Sequence, residues 1–142
     1  MDVMAAILNP YLHFRDKARE AMEFYQTVFG GDLDVQTFGD AGDPYPGEGD
    51  KVQHAQLETP SGFMLMGSDT PERLDHERGE NVYSVSLSGA NSDDAELRGY
   101  WKKLSLGATV VEPLAVAPWG ATFGILKDAF GVTWLVNISA ED

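Results

Sequence analysis

Apolar residues recur at helical spacing in two stretches of the chain. In the first, Ala18, Ala21, Met22, Tyr25, Val28 and Phe29 follow Asp16, an N-cap type, and Gly30 supplies a stop. In the second, Leu97, Tyr100, Trp101 and Leu104 follow Asp93, with Glu96 placed for a capping box and Gly107 as the stop. Each stretch runs 14 residues from its acid to its glycine, and Gly30 and Gly107 stand 77 apart. The remaining apolar runs are short and predict strands: 6–14, 32–38, 52–59 and 63–66 in the first half, and 82–88, 109–116, 122–127 and 132–138 in the second. Pro60-Ser61-Gly62 and Asp128-Ala129-Phe130-Gly131 read as hairpin turns, and Gly62 and Gly131 stand 69 apart.

The offset thus drops from 77 to 69, which an eight-residue insertion in the first half explains. The stretch Gly39–Asp50, rich in glycine, proline and acids, is where it fits. Each half then reads strand, helix, strand, strand, strand, with a polar link at Ser68–Asn81. The expected units are about 4–67 and 82–139 within one domain spanning 1–142, of α+β class.

Composition narrows the function classes. The 142 residues carry 10 Lys and Arg against 23 Asp and Glu, for a formal charge of −13. A nucleic-acid binder needs a basic face to displace counterions, and an anionic membrane surface repels such a chain. With no cysteine there is no disulfide, thiolate metal site or cysteine nucleophile. No apolar run reaches the ~20 residues of a membrane span, and no basic leader precedes one, so a cytoplasmic globular protein is expected.

Strand alternation sorts the candidate residues by face. Leu8, Leu12 and Phe14 share one face of the first strand, leaving Asn9, Tyr11 and His13 on the other. Ala55 and Leu57 leave His54, Gln56 and Glu58; Trp134, Val136 and Ile138 leave Thr133, Leu135 and Asn137. A polar sheet face of this kind suits a binding cleft or a solvated surface.

Several phrases go further. Pro10–Phe14, Ala21–Tyr25 and Val28–Gly31 open the chain; His54–Leu57, Met64–Met66 and Ser68-Asp69 stand in its middle; Trp119-Gly120, Phe123-Gly124, Asp128–Trp134 and Asn137 close it. In order and spacing they resemble the vicinal oxygen chelate superfamily of glyoxalase I, fosfomycin and bleomycin resistance proteins and extradiol dioxygenases, and within it the PhnB-like branch. The resemblance covers nearly the whole chain. It implies two tandem β-α-β-β-β units, curved mixed sheets around a cleft, helices outside, and a homodimer. Some relatives are labelled demethylubiquinone methyltransferases, but no glycine-rich cofactor loop follows a strand here.

Metal-dependent members of the superfamily place His or Glu on the first and last strand of each unit. Those positions fall on Asn9, Ser84 or Ser86, Met66 and Leu135, which are poor ligands for a hard or borderline cation. No metal and no other cofactor is therefore expected; a non-standard site from His13, His54 and Glu58 is the alternative. His54, beside Gln56 and Glu58, is a candidate general base or a hydrogen-bonding wall residue. Glu58 is the one acid expected in the cleft, and His76 sits in the charged linker. Met64, Met66 and Phe123 are candidate apolar lining, Trp119 a cap on the ligand or an interface anchor, and Pro44-Tyr45-Pro46 a lid.

Three functions follow from this reading. The first is a metal-independent protein that binds a small molecule of undetermined identity. The second is a small-molecule lyase, isomerase or dioxygenase. The third is an interaction protein that uses the fold as a dimer scaffold.

Overall fold

In the computed structural model, residues 9–40, 42, 47–70 and 84–142 are described. Leu8, the expected lid Pro44-Tyr45-Pro46 and the linker's His76 lie outside the described residues. The chain divides into two compact units, Met1–His76 and Glu77–Asp142. Among the described residues, no helix is long and apolar enough to cross a membrane.

The first unit runs β1 (Tyr11–Phe14), α1 (Ala18–Phe29), β2 (Asp32–Thr37), β3 (Val52–Glu58) and β4 (Met64–Asp69). Its sheet is ordered β1-β4-β3-β2, with β1 parallel to β4 and the other pairs antiparallel. The second unit repeats this plan with β5 (Val85–Gly89), α2 (Asp94–Leu104), β6 (Thr109–Val116), β7 (Thr122–Lys127) and β8 (Thr133–Ile138), ordered β5-β8-β7-β6. β5 is parallel to β8 and the other pairs are antiparallel. Both sheets are open and mixed.

Each helix covers one sheet face. The six α1 residues of the helical stripe, Ala18, Ala21, Met22, Tyr25, Val28 and Phe29, are buried, with Phe14, Ala55, Leu57 and Leu65 from the strands, and Phe24 is half-buried. Leu97, Tyr100 and Leu104 of α2 are buried, as are Leu87, Leu126, Trp134, Val136 and Ile138 from its sheet. Trp101 is half-buried; its ring lies where a side chain on Gly124 would project, only 2.8 Å from a Cβ built there. Gly124 is thus a packing requirement rather than a turn.

The hairpin turns of the two units are the same turn, 69 residues apart. The Thr59 N–H donates to the Phe63 carbonyl (3.0 Å), the Phe63 N–H to Thr59 Oγ1 (3.0 Å) and the Gly62 N–H to the Thr59 carbonyl (3.0 Å). The Asp128 N–H donates to the Val132 carbonyl (2.8 Å), the Val132 N–H to Asp128 Oδ1 (3.0 Å) and the Gly131 N–H to the Asp128 carbonyl (3.0 Å). Gly62 and Gly131 both adopt φ of +89°, which the turn demands and a Cβ would resist.

Both helix starts differ from the sequence expectation. Asp16 does not cap α1: it adopts φ of +67° and turns its carboxylate to Lys51 Nζ at 2.9 Å. The first helical N–H, that of Ala18, instead donates to Asp69 Oδ1 at 2.9 Å, and the Val52 N–H donates to Asp69 Oδ2 at 2.9 Å. One buried carboxylate at the end of β4 therefore holds the start of the helix and the start of β3. Strand β4 accordingly runs through Ser68 and Asp69, which the sequence assigned to the linker. In the second unit a 3₁₀ turn, Asn91–Asp93, precedes α2. Asp93 accepts from the Ala90 N–H at 3.1 Å, and Glu96 takes the Tyr100 hydroxyl instead of closing a capping box.

The base of the inserted loop is also pinned. The Phe38 and Gly39 N–H groups donate to the carbonyls of Lys51 and Gly49, both at 3.0 Å. Lys51 Nζ reaches Glu48 Oε1 at 2.6 Å as well as Asp16. Hydrogen bonds to Glu48, then Asp16, raise the Lys51 ammonium above its ordinary value of 10.5. A raised folded-state value means the bridge stabilises fully below pH 10.5 and is lost as pH climbs past the folded-state value. Lys51→Met is expected to cost roughly 0.5–1 kcal/mol. In urea titrations of both proteins that difference should stay flat from about pH 7 to pH 10. A difference that already fades by pH 9 would remove this assignment.

Candidate functional site

The face of the first sheet opposite α1 collects most of the sequence candidates. Directly paired residues project to the same side of a sheet. Tyr11 pairs with Met66, Met66 with Gln56 and Gln56 with Asp34, which makes one row across four strands. The row beside it holds His13 paired with Ser68, and His54 paired with Gln36; the row on its other side holds Met64, Glu58 and Asp32. Tyr11, His13, His54, Gln56, Glu58, Met64 and Met66 therefore share a face. Asn9 lies two residues before β1, half-buried, outside the strand.

Within that face the contacts are specific. The Tyr11 hydroxyl lies 3.3 Å from His54 Nδ1. The Tyr11 ring lies near both imidazoles, 5.2 Å from His13 and 5.8 Å from His54 by ring centroids. Gln56 Nε2 donates to Glu58 Oε1 at 3.0 Å. His54 is thus partnered by a phenol rather than by Glu58, which corrects the picture of a carboxylate-assisted histidine. Glu58 is also not the only acid of this face: β2 adds Asp32, paired with Glu58, and Asp34, paired with Gln56. The acids lie toward the β2 edge; the thioethers and Tyr11 lie on β4 and β1.

Ser68 belongs to this face and is buried, at 8% exposure. Its assignment to the linker hid it. The signal was available, since the 69-residue offset that pairs Met66 with Leu135 also pairs Ser68 with Asn137.

The corresponding face of the second sheet is built from hydroxyls, amides and a few apolar groups. Ser86 pairs with Leu135 and Leu135 with Ile125; Ser88 pairs with Asn137 and Asn137 with Phe123. The hydroxyls of Ser86 and Ser88 lie 3.3 Å apart. Trp119 stands edge-on to Phe123, centroids 5.9 Å apart, and is 68% exposed. The turn carrying it is closed by the Ala117 N–H on the Ala121 carbonyl at 2.7 Å. Of the candidates in this unit, Trp119 and Phe123 are in contact, and Leu135 sits one row along from Phe123.

The donor set does not fit a divalent ion of the superfamily kind. Asn9, Ser86, Met66 and Leu135 offer an amide, a hydroxyl, a thioether and an alkyl group. Among the described residues no three His, Asp or Glu side chains converge, so His13, His54 and Glu58 do not form the alternative site.

Two open sheets of order 1-4-3-2, each backed by one helix and repeated in tandem, define the class: the vicinal oxygen chelate fold. A family model described as 3-demethylubiquinone-9 3-methyltransferase matches residues 6–137, and the chain belongs to that family, the PhnB-like branch of the superfamily. The crystal structure of protein PA1353 from Pseudomonas aeruginosa is 36% identical, covers 97% of this chain and 100% of its own, and superposes with a TM-score of 0.83. The PhnB protein of Bacillus cereus is 25% identical over 93% of this chain and 98% of its own, with a TM-score of 0.71. A glyoxylase/bleomycin resistance protein/dioxygenase domain from Frankia is 16% identical over 96% and 93%, and its TM-score of 0.62 speaks to fold alone.

The family's description names a methyl transfer, which calls for a methyl-donor cofactor. The local structure does not fit a nucleotide-type donor held at a strand-to-helix turn. The β1–α1 link is Arg15-Asp16-Lys17, without glycine, and the N–H at the start of α1 is already occupied by Asp69.

Proposed function

We propose that this chain is a metal-independent small-molecule-binding protein whose ligand is held against the open sheet faces. On the first sheet His54, held by Tyr11, and Gln56 supply polar contacts and Met64 and Met66 adaptable apolar ones; on the second sheet Trp119 and Phe123 offer an aromatic edge. The observation that carries this reading is the hydrogen-bonded Tyr11–His54 pair beside Met66, itself a thioether at one of the positions where a metal enzyme of this fold would place a ligand. On the same reading, residues 1–142 form one such domain, working in the cytoplasm as a homodimer.

The test joins metal analysis of the purified protein to a thermal-shift screen over small acids, phosphonates, aldehydes and planar drugs, with and without chelator. Light scattering on the same sample reports the assembly. The expected result is no stoichiometric metal, a raised melting temperature with at least one ligand class, no effect of chelator, and a dimer mass. Stoichiometric metal whose removal abolishes binding would replace this reading with the lyase, isomerase or dioxygenase one. So would turnover of a screened compound that is lost in His54→Ala.

A further inference from the structure

We infer that Tyr11 sets the tautomer of His54, so that the imidazole offers its Nε2–H to the ligand, and that the ligand carries an accepting oxygen there. The inference rests on the binding role proposed above and specifies its chemistry. Of the two groups that meet at 3.3 Å, a phenol is the better proton donor and the bare nitrogen of a neutral imidazole the better acceptor. The Tyr11 hydroxyl therefore donates to Nδ1, and the bond made by one ring nitrogen decides which of them bears the proton. Nε2 then carries the hydrogen, on the side of the ring away from Tyr11.

The frame around the pair supports the assignment. Tyr11 and His54 sit on β1 and β3 with β4 between them, and they meet across it. The contact runs diagonally over β4, where Met66 stands opposite Tyr11 and Ser68, paired with His13, one row along. His13, in the same row as His54, also lies close to the Tyr11 ring, so the phenol neighbours two imidazoles. The nearest acid by strand position is Asp34 of β2, diagonal to His54 and paired with Gln56, while Glu58, four residues along β3, is engaged by Gln56. A donor presented beside Met66, with Met64 two rows along the same face, suits a small organic molecule with a carbonyl or carboxylate oxygen at one end and an apolar body. Tyr11 is in this sense a positioning residue: it acts through His54.

Nitrogen-15 NMR of the histidine side chains at pH 8 tests the positioning directly, with His13→Gln and His54→Gln variants for assignment. Wild-type His54 should be almost wholly the Nε2–H tautomer, and Tyr11→Phe should relax it to the mixture of a free imidazole. An Nδ1–H form in the wild type, or an unchanged ratio in Tyr11→Phe, overturns the inference.

Benzoate and benzylamine, a ring with an acceptor and a ring with a donor, test the ligand chemistry in ~0.15 M salt, where long-range repulsion from the acidic chain is screened. Benzoate should move the His54 Nε2 resonance, and His54→Ala should weaken that binding about fivefold, the value of one hydrogen bond. Benzoate binding that leaves His54 unmoved, an equal response to benzylamine, or no response to either overturns the acceptor-oxygen assignment. In the first of these cases the broader binding role survives, so the two failures are distinguishable.

Discussion

Asp69→Ala is expected to lower the unfolding free energy by about 3–5 kcal/mol, because two buried N–H groups lose their acceptor together. Asp69 is 5% exposed, and its two oxygens take the N–H groups of Ala18 and Val52, each at 2.9 Å. Water cannot readily replace it there, and the negative charge also lies at the positive end of α1. Asp69→Asn should recover less than half of the loss. Its amide retains one accepting oxygen but turns an NH₂ toward the second N–H, donor against donor. At roughly 2–4 °C per kcal/mol, the alanine variant should melt about 10–15 °C lower. Urea unfolding followed by tryptophan fluorescence measures both variants. A loss below about 1 kcal/mol for Asp69→Ala would mean the carboxylate is not the link between helix and sheet.

Asp69 also shows where sequence reading stops. The repeat was legible because it is written in local chemistry: apolar positions at helical spacing, glycines at positive φ and alternating strand faces. Ala18, Met22, Tyr25 and Phe29 on α1, and Trp134, Val136 and Ile138 on β8, were sorted correctly on that basis. The helix starts were not, because for α1 the partner comes from another part of the fold and for α2 nearby groups compete for the same acids. Asp16 has the residue type of a cap and the right place before the helix. Yet it is drawn to Lys51 while an acid 51 residues from Ala18 does the capping. Asp93 and Glu96 have capping-box spacing, but a 3₁₀ turn takes one and Tyr100 the other.

The same division holds at the site. Alternation correctly put Tyr11, His13, His54, Gln56 and Glu58 on one face, since a face depends only on parity within each strand and on which residues the core claims. It could not say that His54 meets Tyr11 rather than Glu58. Neighbours four residues apart on one face of β3 look close in the sequence, while the true partner arrives from β1 across an intervening strand. Asp32 and Asp34 were missed for a related reason. Their strand has only half-buried apolar positions, Leu33 and Val35, so its alternation is faint without the register against β3.

The repeat makes possible a sharper test than any single substitution. Asp128 in the second unit occupies the place of Thr59 in the first, and Trp134 that of Leu65. Thr59 needs to hold only the turn, and its hydroxyl accepts from the Phe63 N–H. Asp128 holds the turn through the Val132 and Phe130 N–H groups and with its other oxygen accepts from Trp134 Nε1–H at 2.9 Å. Both Asp128 and Trp134 are buried, at 4% and 1% exposure. The carboxylate is therefore required by the indole, and the first unit does without one because leucine has no N–H to satisfy.

Asp128→Ala is expected to cost about 3–5 kcal/mol, since the turn and the indole lose their acceptor at once. Asp128→Thr should restore the turn as Thr59 does and cost about 1–3 kcal/mol, the penalty of depriving the indole. Trp134→Leu alone costs about 2–4 kcal/mol through the volume it empties. When it is combined with Asp128→Thr, most of the threonine penalty should vanish, because the group that needed the carboxylate is gone. A double-mutant cycle by urea unfolding should then give a coupling of about 1–3 kcal/mol between the two positions. Additive losses, within about 0.5 kcal/mol, would mean that Asp128 serves the turn alone and that the indole bond adds nothing to the fold.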